Sequence, residues 1–526
     1  MKCTSHKLFY SSSISDSFES TRKSHAQILK SGFSAFDSLF RCYLDFAEEE
    51  KEDAFKLLDE ITNWDSSSAN SIIMSLKNHN HHSRAIDFFS RLPSLSVQPN
   101  QFILCNIMSA ATALRDSNLG RQLHARVIKT GFANDVYVGS SLLDHYSKYH
   151  SLPIEDCQKV FVEIQNPNVV AYTTLIGGLL KMQDFKAAHS LFQDIPSPDR
   201  SVVTWNTMIT GCSKMGRSEE AVDLFTKMLK EGISHPTQST FPSIFTAVSN
   251  MAGIGMGRTI HAISIKCLEN PNVYVASSLI SFYAKCGSIE DSILIFERAR
   301  RKLASGSLVS VVVWNAMMCG YAQNGRAREA LELYRKMPMS PNDVTLLGVL
   351  FGCNHGGLVD EGYECFKQAE VNYPEIIRPE HYACVVNLFS RSMRFEDATK
   401  FLSELPFRPG VGFWKAFLAG YQMDSCTIDI VTKKIEHGLI NSKYGGGASS
   451  STYVLLSNAY AASGRLQKSS VIRQKMKNRG IEIIPGCSWI ELKGQMHVFC
   501  SNDRRHSKIS EIGNVLTIFQ RTRMIL

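Results

Sequence analysis

Val202–Gly211 reads VVTWNTMITG, Val169–Gly178 reads VVAYTTLIGG and Val311–Gly320 reads VVVWNAMMCG. Two further segments recur beside this decamer. Val136–Ser151 (VYVGSSLLDHYSKYHS) returns as Val273–Ser288 (VYVASSLISFYAKCGS), and Arg121–Phe132 (RQLHARVIKTGF) returns as Arg258–Glu269 (RTIHAISIKCLE). Both pairs stand 137 residues apart. A shared offset means that a whole block is repeated, and units of about 34 residues divide it into four. The chain is an array.

Each unit carries helical spacing twice. In Val202–Thr237, Trp205, Met208, Ile209 and Cys212 fall at i, i+3, i+4 and i+7, one apolar stripe. Gly216 interrupts, Ala221, Leu224, Phe225 and Met228 repeat the spacing, and Gly232 closes the second helix as a C-terminal cap. Two short antiparallel helices cannot bury both stripes alone, so neighbouring hairpins must stack. The expected fold is an all-α, right-handed superhelical solenoid of about ten helix-turn-helix repeats. One exception is expected near the C-terminus. Ile481–Phe499 alternates polar and apolar residues around Lys493-Gly494, the pattern of a small β-hairpin.

Composition narrows the function. With 44% hydrophobic and 20% charged residues the 526-residue chain reads as folded, and no run of 18 apolar residues suggests a membrane span. Its 14 Cys stand singly, without a C-x-x-C pair, so most are expected to act as small buried hydrophobes in a reducing compartment. The formal net charge is +8, and Arg465–Leu526 alone holds twelve Lys and Arg against four acids. Residues 1–464 are therefore neutral overall, which argues against binding nucleic acid by charge alone. Lys2, Lys7 and six Ser between Ser11 and Ser20, with no acid before Asp16, have the composition of an organellar transit segment.

Units that open on V-V-x-W/Y-N/T and close near G-x-x-P-N, with lengths drifting from the low to the high thirties, resemble the plant pentatricopeptide repeat proteins. The subclass in question mixes standard, long and short repeats. KCGS at Lys285–Ser288, GLVDEG at Gly357–Gly362, EHYAC at Glu380–Cys384, YVLLSNAYAASGR at Tyr453–Arg465 and PGCSWIELKG at Pro485–Gly494 carry the resemblance. The last two look like that subclass's C-terminal E and E-plus extension. On this reading residues 1–20 are a targeting segment and 21–409 the repeat array. Residues 410–485 form an E-type helical extension, and 486–526 an E-plus-like basic tail.

The resemblance implies binding of single-stranded organellar RNA along the first helices, one base per repeat. The fifth and last residues of a unit would contact the base edge. Carried over, these are Asn70 with Asn100, Ser140 with Asn168, Thr173 with Ser201, Asn206 with Thr237, Ser277 with Ser310, and Asn315 with Asn342. Small polar side chains at a helix start can offer donors and acceptors to a Watson–Crick edge, and the same residues are also good helix caps. The long repeats put Cys105 and Pro242 at the fifth place, where neither reads a base, and the GISHPT segment leaves the Thr237 position uncertain by one.

Neither an enzyme nor a cofactor or metal site is expected. G-x-S-x-G, a phosphate-loop G-K pair and H-E-x-x-H are absent. The family's own deaminase module needs H-x-E and C-x-x-C for zinc; neither occurs, and the chain ends Arg-Met-Ile-Leu. His25, His124 and His261 recur at one slot, which points to packing, and Gly253, Gly255 and Gly257 read as a repeat linker. The leading expectation is a mitochondrial, or alternatively chloroplast, site-recognition factor for C-to-U RNA editing. It would recruit a deaminase-bearing pentatricopeptide repeat protein or an editing accessory factor in trans. The alternatives are a factor for RNA splicing, stability or translation, and a protein-binding helical scaffold without RNA.

Overall fold

A computed structural model describes residues 64–148, 154–303, 310–417 and 450–479, together with Phe40, Ile481, 487–492, 495–500, 510–512 and Asn514. The residue 1–20 targeting segment, His25, the Lys493-Gly494 turn and most of the basic tail lie outside the described residues.

The chain divides into two compact units, Met1–Met215 and Gly216–Leu526. The first contains the hairpins α1 (Ser66–Asn78) with α2 (His82–Arg91), α3 (Gln101–Leu114) with α4 (Ser117–Lys129), α5 (Val136–Lys148) with α6 (Ile154–Glu163) and α7 (Val169–Lys181) with α8 (Phe185–Asp194), followed by α9 (Val202–Lys214). The second opens with α10 (Ser218–Glu231). It continues through α11 (Thr240–Asn250) with α12 (Ile254–Cys267), α13 (Val273–Lys285) with α14 (Ile289–Leu303) and α15 (Val311–Gln323) with α16 (Ala327–Arg335). Next come α17 (Asp343–Gly356) with α18 (Val359–Asn372), α19 (Pro379–Arg391) with α20 (Phe395–Ser403), α21 (Val411–Phe417), and α22 (Ser450–Ala462) with α23 (Leu466–Asn478). Beyond them β1 (Cys487–Leu492) pairs antiparallel with β2 (Gln495–Cys500), Trp489 facing Val498.

Within each unit the first helix of one hairpin packs on the first helix of the next: α1, α3, α5, α7 and α9 in one unit, α11 to α21 by odd numbers in the other. Second helices pack against these, so each unit is an all-α solenoid segment of two layers. The stripes read from the sequence are the core: Trp205, Met208, Ile209 and Cys212 in the first unit, and Ala221, Leu224, Phe225 and Met228 in the second, are all buried. Gly216 turns between helices at φ +74° and Gly232 caps α10 at φ +66°, both left-handed conformations that a side chain resists. Among the described residues no helix is long and apolar enough to cross a membrane.

The glycines expected in a linker sit instead at the start of α12, with Gly253 as its N-cap. Gly257 lies so close to the Phe282 ring that a Cβ would overlap it. The slot is repeated 137 residues earlier, where Gly120 faces the imidazole of His145. Helix–helix approach, and not loop flexibility, is what demands glycine here.

His145 is fully buried, its Nδ1 3.0 Å from Thr112 Oγ1. Thr112 donates its own proton to Met108 O at 2.7 Å, so the imidazole donates to Thr112 from Nδ1. Burial holds its pKa below the usual histidine range; Asp144 and Asp116 pull it up less strongly, and His124 and Lys148 push it further down. The unfolded chain therefore takes up this proton first as pH falls, and stability should decline below about pH 6.5. His145→Phe, the residue the second block carries, should weaken that decline. Urea unfolding at pH 7.5 and 5.5 would show it as a smaller midpoint difference than in the parent.

Candidate nucleic-acid interface

Within each unit, three sets of side chains recur at fixed positions of the first helices. The first set is at the cap. Asn100, Asn168, Ser201, Ser310 and Asn342 each precede a first helix and accept a backbone N–H from its opening turn, at 2.9–3.3 Å. Capping, the competing role for these residues, is thus real at all five. It does not exclude base contact, because an asparagine caps through Oδ1 and keeps its Nδ2 donors. Thr237 differs. α11 begins only at Thr240, and Thr237 meets that residue through its backbone N–H, 3.0 Å from Thr240 Oγ1.

The fifth residues lie on the same layer, one turn in. Asn315 Nδ2 donates to Asn342 Oδ1 at 3.1 Å, so this pair is in direct contact. Thr173 and Ser201 are joined through Thr204, whose Oγ1 is 2.8 Å from Thr173 Oγ1 and 2.9 Å from Ser201 Oγ. Asn70 is instead engaged by Asn106, which donates to its Oδ1 at 3.0 Å. Ser140 and Ser277 donate to carbonyls of their own helices, Val136 O and Tyr274 O. Asn206 is half-buried on α9. Asn315/Asn342 and Thr173/Ser201 are expected pairs that the structure joins.

The second set was not anticipated. The second residue of successive first helices is apolar and exposed: Phe102, Tyr137, Val170 and Val203 in one unit, Tyr274, Val312 and Val344 in the other. Val170 is 59% and Val203 65% exposed. Single exposed hydrophobes need no explanation, but seven at one helix position do; the position is Ser67 in α1, the buried Phe241 in α11 and Glu380 in α19. The signal was present in the doubled valine of V-V-x-W, whose second valine no helical core stripe requires.

The third set is cationic. Lys148, Lys181, Lys214 and Lys285 each end a first helix, and Lys77 lies one residue before the end of α1. From α3 through α15 the first helices contain one acid, Asp144, which pairs with Lys148 at 2.7 Å. Most acids lie on second helices and their approaches, where Glu220 meets Arg217 at 2.6 Å, Glu290 meets Arg326 at 2.6 Å and Asp360 meets Arg394 at 2.7 Å; Asp65, Asp135, Asp199, Asp343 and Glu380 stand at or just before the starts of first helices. The neutral body is thus neutral only in sum. Its first helices from α3 through α15 are nearly free of acid, while the second helices carry both signs.

His124 and His261 make the same contact, Nδ1 to the hydroxyl of Tyr146 and of Tyr283, each at 2.9 Å. Burial pushes the thiol of Cys157 up to about 11 and that of Cys353 up to about 12, values that keep both protonated. Among the described residues no group of three His, Cys, Asp or Glu is placed to hold a metal ion.

A model of the PPR repeat matches residues 170–197, 274–302 and 312–340, a PPR repeat family model matches 200–250, and an E motif model matches 447–491. A mitochondrial pentatricopeptide repeat-containing protein of Arabidopsis thaliana is 43% identical over 470 residues, covering 88% of this chain and 89% of its own. A second mitochondrial protein of that name and organism is 31% identical over 88% of this chain and 48% of its own. Among solved structures, maize PPR10 matches with a TM-score of 0.52 at 16% identity, covering 88% of this chain and 71% of PPR10. PPR10 in complex with an 18-nt psaJ RNA element matches at 0.50 and 15%, covering 88% and 84%. At such identity the likeness is one of fold.

Proposed function

The chain belongs to the pentatricopeptide repeat family, and we propose that it is a sequence-specific single-stranded RNA-binding protein of the mitochondrion. The observation that carries this reading is the three recurring sets of first-helix side chains. An exposed apolar side chain in seven of the first helices offers a flat contact to a base face, and the fifth and cap residues reach its edge. A lysine at or near the far end of α1, α5, α7, α9 and α13 can meet a phosphate. The RNA-bound relative of the same fold supports the ligand class. The word mitochondrial in the names of several relatives supports the compartment.

Within that function, the E motif match supports a role as a site-recognition factor for C-to-U editing. The deaminase would come from a second protein. The purified chain should bind single-stranded RNA and bind duplex of the same sequence at least about tenfold more weakly, because pairing hides the edges that the fifth residues need. Equal affinity for both would remove sequence reading from the proposal. Deep sequencing of mitochondrial transcripts from plants lacking the protein tests the editing role. Loss of conversion at one or a few cytidines supports it; altered splicing or transcript ends with every site still edited would replace it by RNA processing.

A further inference from the structure

Two of the base-contacting pairs are wired differently by a residue that touches no base. Thr204 and Thr345 are third in α9 and α17, and both are 0% exposed.

At Thr173/Ser201 the proton positions follow from the contacts. Thr173 Oγ1 is 2.7 Å from Val169 O, a carbonyl that can only accept, so the Thr173 proton lies there. The 2.8 Å contact to Thr204 must then use the Thr204 proton, and the 2.9 Å contact between Thr204 and Ser201 must use the Ser201 proton. Protons run from Ser201 to Thr204 to Thr173 to Val169 O. Every hydroxyl proton is held inside the chain, and what faces outward is lone pairs alone.

At Asn315/Asn342 the same position acts in the opposite sense. Asn342 Oδ1 accepts Thr345 N–H at 2.9 Å, which fixes its oxygen toward α17, and it accepts Asn315 Nδ2 at 3.1 Å. The Thr345 hydroxyl lies 2.7 Å from Asn315 Oδ1 and 2.8 Å from Asn342 Oδ1, its one proton shared between two amide oxygens that both turn to it, and Asn342 N–H donates to that hydroxyl at 3.1 Å. Both amide oxygens are turned inward. The donors left for a ligand are the Asn342 amide and the second Asn315 hydrogen.

We propose that Thr204 and Thr345 are positioning residues that set the hydrogen-bond polarity of these two pairs. Thr173/Ser201, presenting acceptors only, selects a base that carries an amino group over uracil. Asn315/Asn342, presenting donors, selects a base with carbonyl acceptors. This rests on the reading of the first-helix layer as an RNA interface and adds a specificity determinant outside the fifth and cap positions.

The test uses the full-length chain and an RNA selected by it from a randomised single-stranded pool, with each nucleotide then changed in turn to the other three. In Thr204→Val the Ser201 proton loses its acceptor and can turn to a uracil carbonyl. Discrimination against uracil at one nucleotide should fall about tenfold, with the other positions unchanged. Thr204→Ser keeps the hydroxyl and should keep the discrimination, which a loss of packing alone would not explain. Thr345→Val frees the Asn315 amide to turn its oxygen outward and should relax selection at a different nucleotide. That variant stands independently if Thr204→Val fails to fold. A Thr204→Val or Thr345→Val profile identical to the parent at every nucleotide overturns the proposal, as does Thr204→Ser losing as much as Thr204→Val. A parent chain that binds no single-stranded RNA overturns the proposed function itself.

Discussion

Val170→Asp combined with Val203→Asp should lower affinity for single-stranded RNA by about a hundredfold while leaving the protein as stable as before. Stacking on exposed side chains contributes on the order of 1–3 kcal/mol per base where the side chain is aromatic, and two smaller platforms would be lost together. Two carboxylates would also stand where phosphates must pass, on first helices nearly free of acid. The fold has no reason to object. Both valines are exposed, and each is the second residue of its helix, where an acid complements the helix dipole by a few tenths of a kcal/mol. Fluorescence anisotropy at fixed salt and a thermal melt read the two halves of this expectation. Unchanged affinity with an unchanged melt would favour a protein-binding scaffold over an RNA-binding surface.

Trp205→Ala should cost about 3–5 kcal/mol of stability, the range for emptying a large aromatic site. Trp205 is 1% exposed and meets the Phe192 ring edge-on at 4.8 Å. Arg200 lies over the Phe192 ring at 4.8 Å and near the indole at 5.9 Å, so the cavity would also loosen a cation packed on aromatic faces. Because a repeat array is held together by contacts between neighbours, the damage should concentrate in α8 and α9 before the unit melts. Hydrogen exchange would show early opening of residues 185–214. Uniform loss of protection along the chain would mean a more cooperative array than nearest-neighbour packing predicts.

The two experiments divide α9 by face. Its inward residues hold the solenoid, its outward residues are proposed to meet the ligand, and Thr204 lies at the boundary, buried like the first group and bonded to the second. A substitution there is the one place on the helix where stability and selectivity should be measured together.

The hairpins, their register and their caps were legible in the sequence by itself. The period of Trp205, Met208, Ile209 and Cys212, the glycine at 216 and the Asn or Ser before α3, α7, α9, α15 and α17 act over a few residues, so their consequences are local. The histidine slot was legible for a related reason, since recurrence at one offset implies one environment. The neutral sum over residues 1–464 holds, but a sum over the chain cannot say which layer each helix joins. Packing put Lys148 at the end of a first helix and Glu155 and Asp156 on the second helix of the same hairpin, though a few residues separate them. Asn315 and Asn342 were named as a pair, but which of their atoms face outward was decided by Thr345, whose hydroxyl reaches back 30 residues to the Asn315 oxygen. A hydroxyl's proton goes wherever the nearest acceptor stands, and across two stacked hairpins only the tertiary structure sets which acceptor that is.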